Sequence, residues 1–325
     1  MDILSQLVMG TPLWMWGTFA AIVLALLVVD LGVLHKKQKA IGVRESLLMS
    51  AFYIAIGLAF GGWVWHEMGA VSAKEYVTGF LVEKTLAMDN IFLISLIFTY
   101  FTIPAAYQHR VLFWGILGVI VLRGIVIAAG ATLVAEYAWV LYIFAAFLVA
   151  TGIKMLVMKE KPIDLKNNAV LKFLRRHLRI EDELHGNSFF VRLKDANTGK
   201  YAVYMTPLFL ALLMIEIVDL IFALDSVPAI FAITTNPYIV YTSNIFAILG
   251  LRALYFALSA IIHRFQYMKQ ALALVLIFIG SKVFVADMLG LEKFPAGISL
   301  GVTVALLVGG VVYSLYKTRA DTKLA

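Results

Sequence analysis

The chain is a succession of long uncharged apolar runs separated by short charged clusters, and the runs have the length of membrane crossings. Residues 3–29, 46–65, 226–251 and 294–316 carry no Asp, Glu, Lys or Arg, and about 20 helical residues span a hydrocarbon core. Shorter apolar runs broken by single charges fill the remainder. The pattern predicts an all-α membrane protein of nine transmembrane helices, near residues 13–34, 45–65, 74–101, 109–131, 137–158, 204–232, 239–261, 268–289 and 295–316. Residues 159–203 read differently: AVLKFLRRHLR at 169–179 is amphipathic, and alternating FFVRLK and YAVYM segments flank a DANTG turn. A short surface helix followed by a β-hairpin is expected there, as a linker or as a contact for anionic lipid or a regulator.

Composition removes the soluble alternative, since 62% of residues are hydrophobic, 14% are charged and the mean hydropathy is +0.91. The net charge of +7 is unevenly distributed. With nine crossings, one side collects Lys36, Lys37, Lys39, Arg44, Arg110, ten Lys and Arg residues of the 159–203 loop, Arg264, Lys269, Lys317, Arg319 and Lys323. The opposite side has Lys74 and Lys293. Basic loops stay inside, so the amino terminus is expected outside and the carboxyl terminus in the cytoplasm. The charge excess belongs to this topology, and no nucleic-acid motif accompanies it. The first apolar run lacks a basic leader and a cleavage pattern, which reads as a retained helix. Cysteine is absent, excluding disulfides, thiolate ligands and thiol redox chemistry. His35, His66, His109, His177, His185 and His263 fall in loops or at helix ends, leaving hard oxygen donors for any site within the membrane.

Those donors stand out. EKTLAMDNIF at 83–92 and DLIFALDSVP at 219–228 each place two acids six residues apart in an apolar run. An ionisable group at mid-bilayer costs roughly 2.5–3.5 kcal/mol on insertion scales, so intramembrane acids mark ion pathways by default. Glu83, Asp89, Glu216, Asp219 and Asp225 are the candidates, with Asn90 and Ser226 beside the two aspartates as neutral oxygens. The similarity continues downstream: LRGIVIAAGA at 122–131 matches LRALYFALSA at 251–260, pairing Arg123 with Arg252, and Gly152 with Lys154 matches Gly280 with Lys282. Three helices per unit make this an inverted 3+3 repeat, an arrangement of secondary transporters that places the substrate site at the repeat interface. Six residues at 100° each separate the paired acids by about 120° on a regular helix. A local opening near Pro228 is therefore expected, to bring both toward one ion.

These segments, with EIVDLIFALDSVPAIFAIT at 216–234, SNIFAILGLRALYF at 243–256 and the basic central loop, resemble the TerC family of bacterial integral membrane proteins, and especially its Alx branch, named for tellurium resistance and alkaline response. The resemblance covers nearly the whole chain. It implies a multipass inner-membrane protein among the lysine-exporter-like transporters, with manganese export as the favoured activity and the motif positions on Glu83, Asp89, Asn90, Glu216, Asp219, Asp225 and Ser226. The resulting division is two amino-terminal helices at 1–72, a first repeat at 73–158, a cytoplasmic loop at 159–203, a second repeat at 204–290, and a last helix with its tail at 291–325.

The combined expectation is a transporter, not an enzyme, that exports a divalent cation in exchange for protons, with the metal ion and the lipid bilayer as partners, no nucleic acid, and no cofactor beyond the cargo. Carboxylate oxygens suit Mn²⁺, Mg²⁺ and Ca²⁺ alike; manganese comes from the resemblance. Two competing readings are a non-transporting sensor or redox modulator, and an intramembrane aspartyl protease. The protease motif Gly-x-Gly-Asp is missing, since Asp89 follows Ala87 and Met88, and Asp225 follows Ala223 and Leu224. For Lys84, Arg123, Lys154, Arg252 and Lys282, charge balancing is expected, because a cation in the pathway would repel the cargo. Asp30 and Asp287 are expected at solvated membrane boundaries, Gly115, Gly118, Gly124 and Gly250 at close helix contacts, and Trp14, Trp16, Trp63, Trp65 and Trp139 in interfacial belts.

Overall fold

A computed structural model describes residues 5–32, 43–158, 169–194, 200–258, 268–291 and 293–324. The chain begins with a small hairpin, β1 (Leu7–Val8) against β2 (Thr11–Pro12), turned through Met9 and Gly10, both at positive φ. Helices α1 (Leu13–Gly32), α2 (Val43–Tyr100), α3 (Ala105–Glu136) and α4 (Val140–Val157) follow. Next come α5 (Ala169–His177), β3 (Phe190–Lys194) and β4 (Tyr201–Met205). The chain closes with α6 (Pro207–Phe231), α7 (Pro237–Ile248), α8 (Leu251–Leu258), α9 (Met268–Met288) and α10 (Ala296–Leu324).

Proline marks several starts. Pro207 and Pro237 occupy the first turn of α6 and α7, where a missing N–H costs nothing. Asn236 caps α7 by accepting hydrogen bonds from the Tyr238 and Ile239 amides.

Among the described residues eight helical stretches are long and apolar enough to cross a membrane, and the second runs over 57 residues. Such a helix would be about 85 Å long at 1.5 Å per residue, nearly three times the hydrocarbon core. Gly69 interrupts it, at φ 84 and ψ 173, and the halves fold back on each other: the Tyr76 hydroxyl donates to the Gly57 carbonyl at 3.0 Å, and a Cβ at Gly57 would stand 2.6 Å from the Phe80 ring. The eight stretches thus comprise nine helical legs. Exposed Leu24, Val28, Val121, Ile125, Val308 and Val312 give the bundle an apolar exterior. Such a surface belongs in lipid.

The expected opening at Pro228 does not occur, because α6 continues through Pro228 to Phe231. The break lies in the next helix. Leu249 is extended at ψ 131 and Gly250 has φ +81, dividing one span into α7 and α8. Glycine is required there twice over, for its positive φ and because a Cβ would lie 2.6 Å from that of Tyr53. The main-chain oxygens left at the break are served by Lys84, whose Nζ donates to Ala247 at 2.9 Å and Leu249 at 3.4 Å.

The central loop matches its expectation. Helix α5 seats Leu171 and Leu174 on the core while Arg175 and Arg176 face out, and β3 pairs antiparallel with β4; the DANTG turn lies outside the described residues. Helix α2 packs chiefly on α7, α3 on α6, and α4 on α9. The α4–α9 contact is reciprocal. A Cβ at Gly152 would stand 2.6 Å from the Ala273 carbonyl, and one at Gly280 would stand 2.6 Å from the Ala145 carbonyl. Trp65 and Trp139 are exposed at helix ends as expected, whereas Trp16 packs edge-on against Tyr238.

Candidate functional site

Seven residues of α-helix turn through about 700°, only some 20° short of two full turns. That spacing joins Glu83 to Asn90 on α2 and Asp219 to Ser226 on α6, and all four side chains are buried. Between them lies Arg123 of α3, 1% exposed. Its guanidinium bridges the two helices: Nη2 donates to Asp219 Oδ1 at 3.0 Å, Nε to Asp219 Oδ2 at 3.3 Å, and Nη1 to Ser226 Oγ at 3.2 Å. Nη1 also donates to Glu83 and to the Asn244 side-chain oxygen of α7. Asn90 donates to Asp219 Oδ1 at 3.3 Å, so a single network ties α2, α3, α6 and α7 together.

The network does not consume every oxygen. Glu83 Oε2, Asn90 Oδ1 and Glu216 Oε2 are buried without a hydrogen-bond partner. Glu216 lies in a notch of α3: a Cβ at Gly118 would collide with its carboxylate. Gly118 therefore leaves room for a carboxylate, whereas a Cβ at Gly115 would meet Ile215 and Leu212 of α6 at 3.8 Å, a close helix contact as expected. Gly124 meets the Tyr241 ring and allows close packing, as expected. A cavity of about 20 Å³ runs beside Asn90 and Asp219 to Arg252, lined mainly by aliphatic side chains, with room for about one water.

Of the sequence candidates, Glu83, Asn90, Asp219 and Ser226 come together around Arg123, and Glu216 lies one turn before Asp219. Asp89 and Asp225 sit on α2 and α6, with side chains outside the described residues. Among the described residues no group of three His, Asp or Glu side chains is placed to hold a metal ion.

The basic residues divide by role. Arg123 pairs with two motif acids, so balancing holds for it at the centre of the site. Arg252 pairs with Asp30 of α1. Asp30 is 5% exposed, which corrects its expected solvated position: it is buried as the partner of a buried guanidinium. Lys84 and Lys282 serve neutral oxygens, Lys282 donating to Ser299 Oγ at 3.0 Å. Lys154 is exposed in the last turn of α4, where a cation suits the helix end. Sequence reasoning missed Asn244, though it stands in the SNIFAILGLRALYF segment; a buried amide in an apolar helix was the available signal.

A family model described as integral membrane protein TerC family matches residues 68–322. A protein of Rickettsia bellii, described as an uncharacterized membrane protein, is 49% identical over 93% of this chain and 97% of its own. A Myxococcus xanthus membrane protein of the same standing is 43% identical over 95% and 94%. A protein of Photorhabdus laumondii, whose name Alx comes with a proposed role as membrane-bound redox modulator, is 41% identical over 95% and 97%. No solved structure matches.

Proposed function

Since the chain belongs to the TerC family of integral membrane proteins, we propose that it is a secondary transporter, not an enzyme, that exports a divalent metal cation from the cytoplasm, with Mn²⁺ as the favoured cargo and protons as the counter-ion. The observation that carries this reading is the convergence of motif oxygens from α2 and α6 in the bundle interior, with Glu83 Oε2, Asn90 Oδ1 and Glu216 Oε2 left without partners. Buried oxygens left unbonded are costly, and an oxygen-seeking ion would relieve that cost. By the sequence pattern Asp89 and Asp225, each one residue before a network member, belong to the proposed donor set, which would then approach the roughly six oxygens such an ion takes.

The helix pairing supports the inverted repeat. A two-fold that exchanges the second leg of α2 with α6, α3 with α7, and α4 with α9 would turn the α2–α7 contact into the α6–α3 contact and the α4–α9 contact into itself. The α3–α6 and α4–α9 packings are among the principal ones, and the second leg of α2 meets α7 where Lys84 donates to the Ala247 carbonyl. The basic loops favour a bacterial inner-membrane placement with a periplasmic amino terminus. The role in the Alx name would need redox chemistry that a chain without cysteine cannot supply through thiols.

The test is the content of Mn, Fe, Mg, Ca and Zn in cells lacking or overproducing the protein. Overproduction should lower manganese selectively, and unchanged content of all five metals in both strains would sink the proposal in favour of a non-transporting sensor.

A further inference from the structure

The Arg123 guanidinium occupies the middle of the site that the transport reading gives to the cargo. Its five hydrogen bonds all end on hard oxygens, of Glu83, Asp219, Ser226 and Asn244, the donor class a divalent ion prefers. Two carboxylates that face a fixed guanidinium cannot also neutralise a divalent ion, and the two cations would repel each other across a few ångströms. One must leave when the other arrives.

A place to withdraw exists. Glu216 stands one helical turn before Asp219, lies against Gly118 on Arg123's own helix, and has a buried oxygen with no hydrogen-bond partner. Long side chains on a helix lean toward its amino-terminal end. From position 123 that is the direction of Gly118, five residues or about 7.5 Å along the helix axis.

We propose that Arg123 is a tethered counter-cation: it closes the carboxylate site when no ion is bound, and an arriving divalent cation displaces it from Glu83 and Asp219 toward Glu216. The inference rests on the metal-export part of the proposed function and puts Arg123, in place of protons, as the charge that neutralises Glu83 and Asp219 in the empty carrier. The empty carrier is electrically complete through its own arginine, so it returns across the membrane without a second metal ion. Arg123 is in this sense a positioning residue that sets whether the cycle is net transport or mere exchange.

The test uses the full chain in liposomes with Mn²⁺ alone as the probe. Arg123→Gln should bind Mn²⁺ at least tenfold tighter than the native chain, lose tenfold or more of net Mn²⁺ movement down a gradient, and keep Mn²⁺–Mn²⁺ exchange within about twofold. Arg123→Lys should recover part of net transport. A purely structural clasp would lose both modes together with no gain in affinity, and that result in a folded variant overturns the inference. Asn244→Ala removes a neutral partner of the guanidinium without touching an acid, and keeps the test decisive if Arg123→Gln does not fold. It should tighten Mn²⁺ binding several-fold, and unchanged or weaker binding counts against the proposal. If the native chain neither binds nor moves Mn²⁺, the transport reading itself falls, and the role of Arg123 with it.

Discussion

Replacing Gly280 by alanine should wedge α4 and α9 apart. The new Cβ would stand 2.6 Å from the Ala145 carbonyl oxygen, 2.9 Å from Val149 Cγ2 and 3.1 Å from Leu148 Cβ. A carbon–oxygen contact relaxes at about 3.3 Å, so α9 must back off by roughly 0.7 Å, and the nearest obstacle is main chain that cannot rotate away. Overpacking of this kind costs about 1–3 kcal/mol, against which alanine recovers up to about 1 kcal/mol of helix propensity. Gly301→Ala in α10 separates the two effects, because nothing lies within 4 Å of its Cβ position. The gap between the two alanine variants should then be the overpacking itself. Unfolding in mixed micelles, followed by fluorescence of the six native tryptophans, measures it. Gly152→Ala meets the Ala273 carbonyl at the same 2.6 Å and should behave alike, and the double variant should lose less than the sum because one displacement serves both clashes. If Gly280→Ala and Gly301→Ala unfold within about 0.5 kcal/mol of each other, within the spread of neutral surface changes, the interface is looser than the contacts imply and the argument fails.

Asp89→Asn and Asp225→Asn should each abolish manganese export at normal protein abundance, Asp287→Asn should have a mild effect, and the double aspartate variant should be no worse than either single one; near-normal export by well-expressed Asp89→Asn would remove it from the site. Single cysteines at Ser5 and Ser72 should react with an impermeant reagent in intact cells while those at Asn187 and Thr322 should not, and external labelling at Asn187 would reverse the topology. Lys84→Met should cost about 1–3 kcal/mol by leaving the Ala247 and Leu249 carbonyls without their charged donor, and an unchanged unfolding midpoint would mean that the lysine does not hold the α7–α8 break.

Most of the scaffold is legible in the chain because a membrane helix needs only length and apolarity, and a hairpin needs only alternation around a turn. The helix break was less legible. Proline is the usual suspect, yet the fixed φ of Pro228 is compatible with a helix, and α6 continues past its lost hydrogen bond and the crowding of its ring against the Leu224 carbonyl. Gly250 breaks its helix through a positive φ that a lone glycine in an apolar run does not announce. At the site, the buried polar residues were readable but their geometry was misjudged: the six-residue spacing of the acids drew attention, whereas the seven-residue spacing to Asn90 and Ser226 sets the shared face. The centrality of Arg123 had no local signal, since its partners lie 40, 96, 103 and 121 residues away. The repeat even suggested equivalence with Arg252, which binds Asp30 on a helix outside either repeat.

The spread of those partners along the chain also bears on biogenesis. An arginine near the middle of an inserting helix costs about 2.5–3.5 kcal/mol. When α3 leaves the ribosome, Asp219 has yet to be made, and Glu83, 40 residues upstream, is the one network acid already synthesised. The second leg of α2 and α3 should therefore partition as a hairpin with its charges already matched, and α6 and α7 should be recruited later to a site half built. A chain truncated after residue 200 should insert α3 less efficiently when Glu83 is replaced by leucine, as read by glycosylation mapping; equal insertion would mean that the translocon tolerates Arg123 unaided.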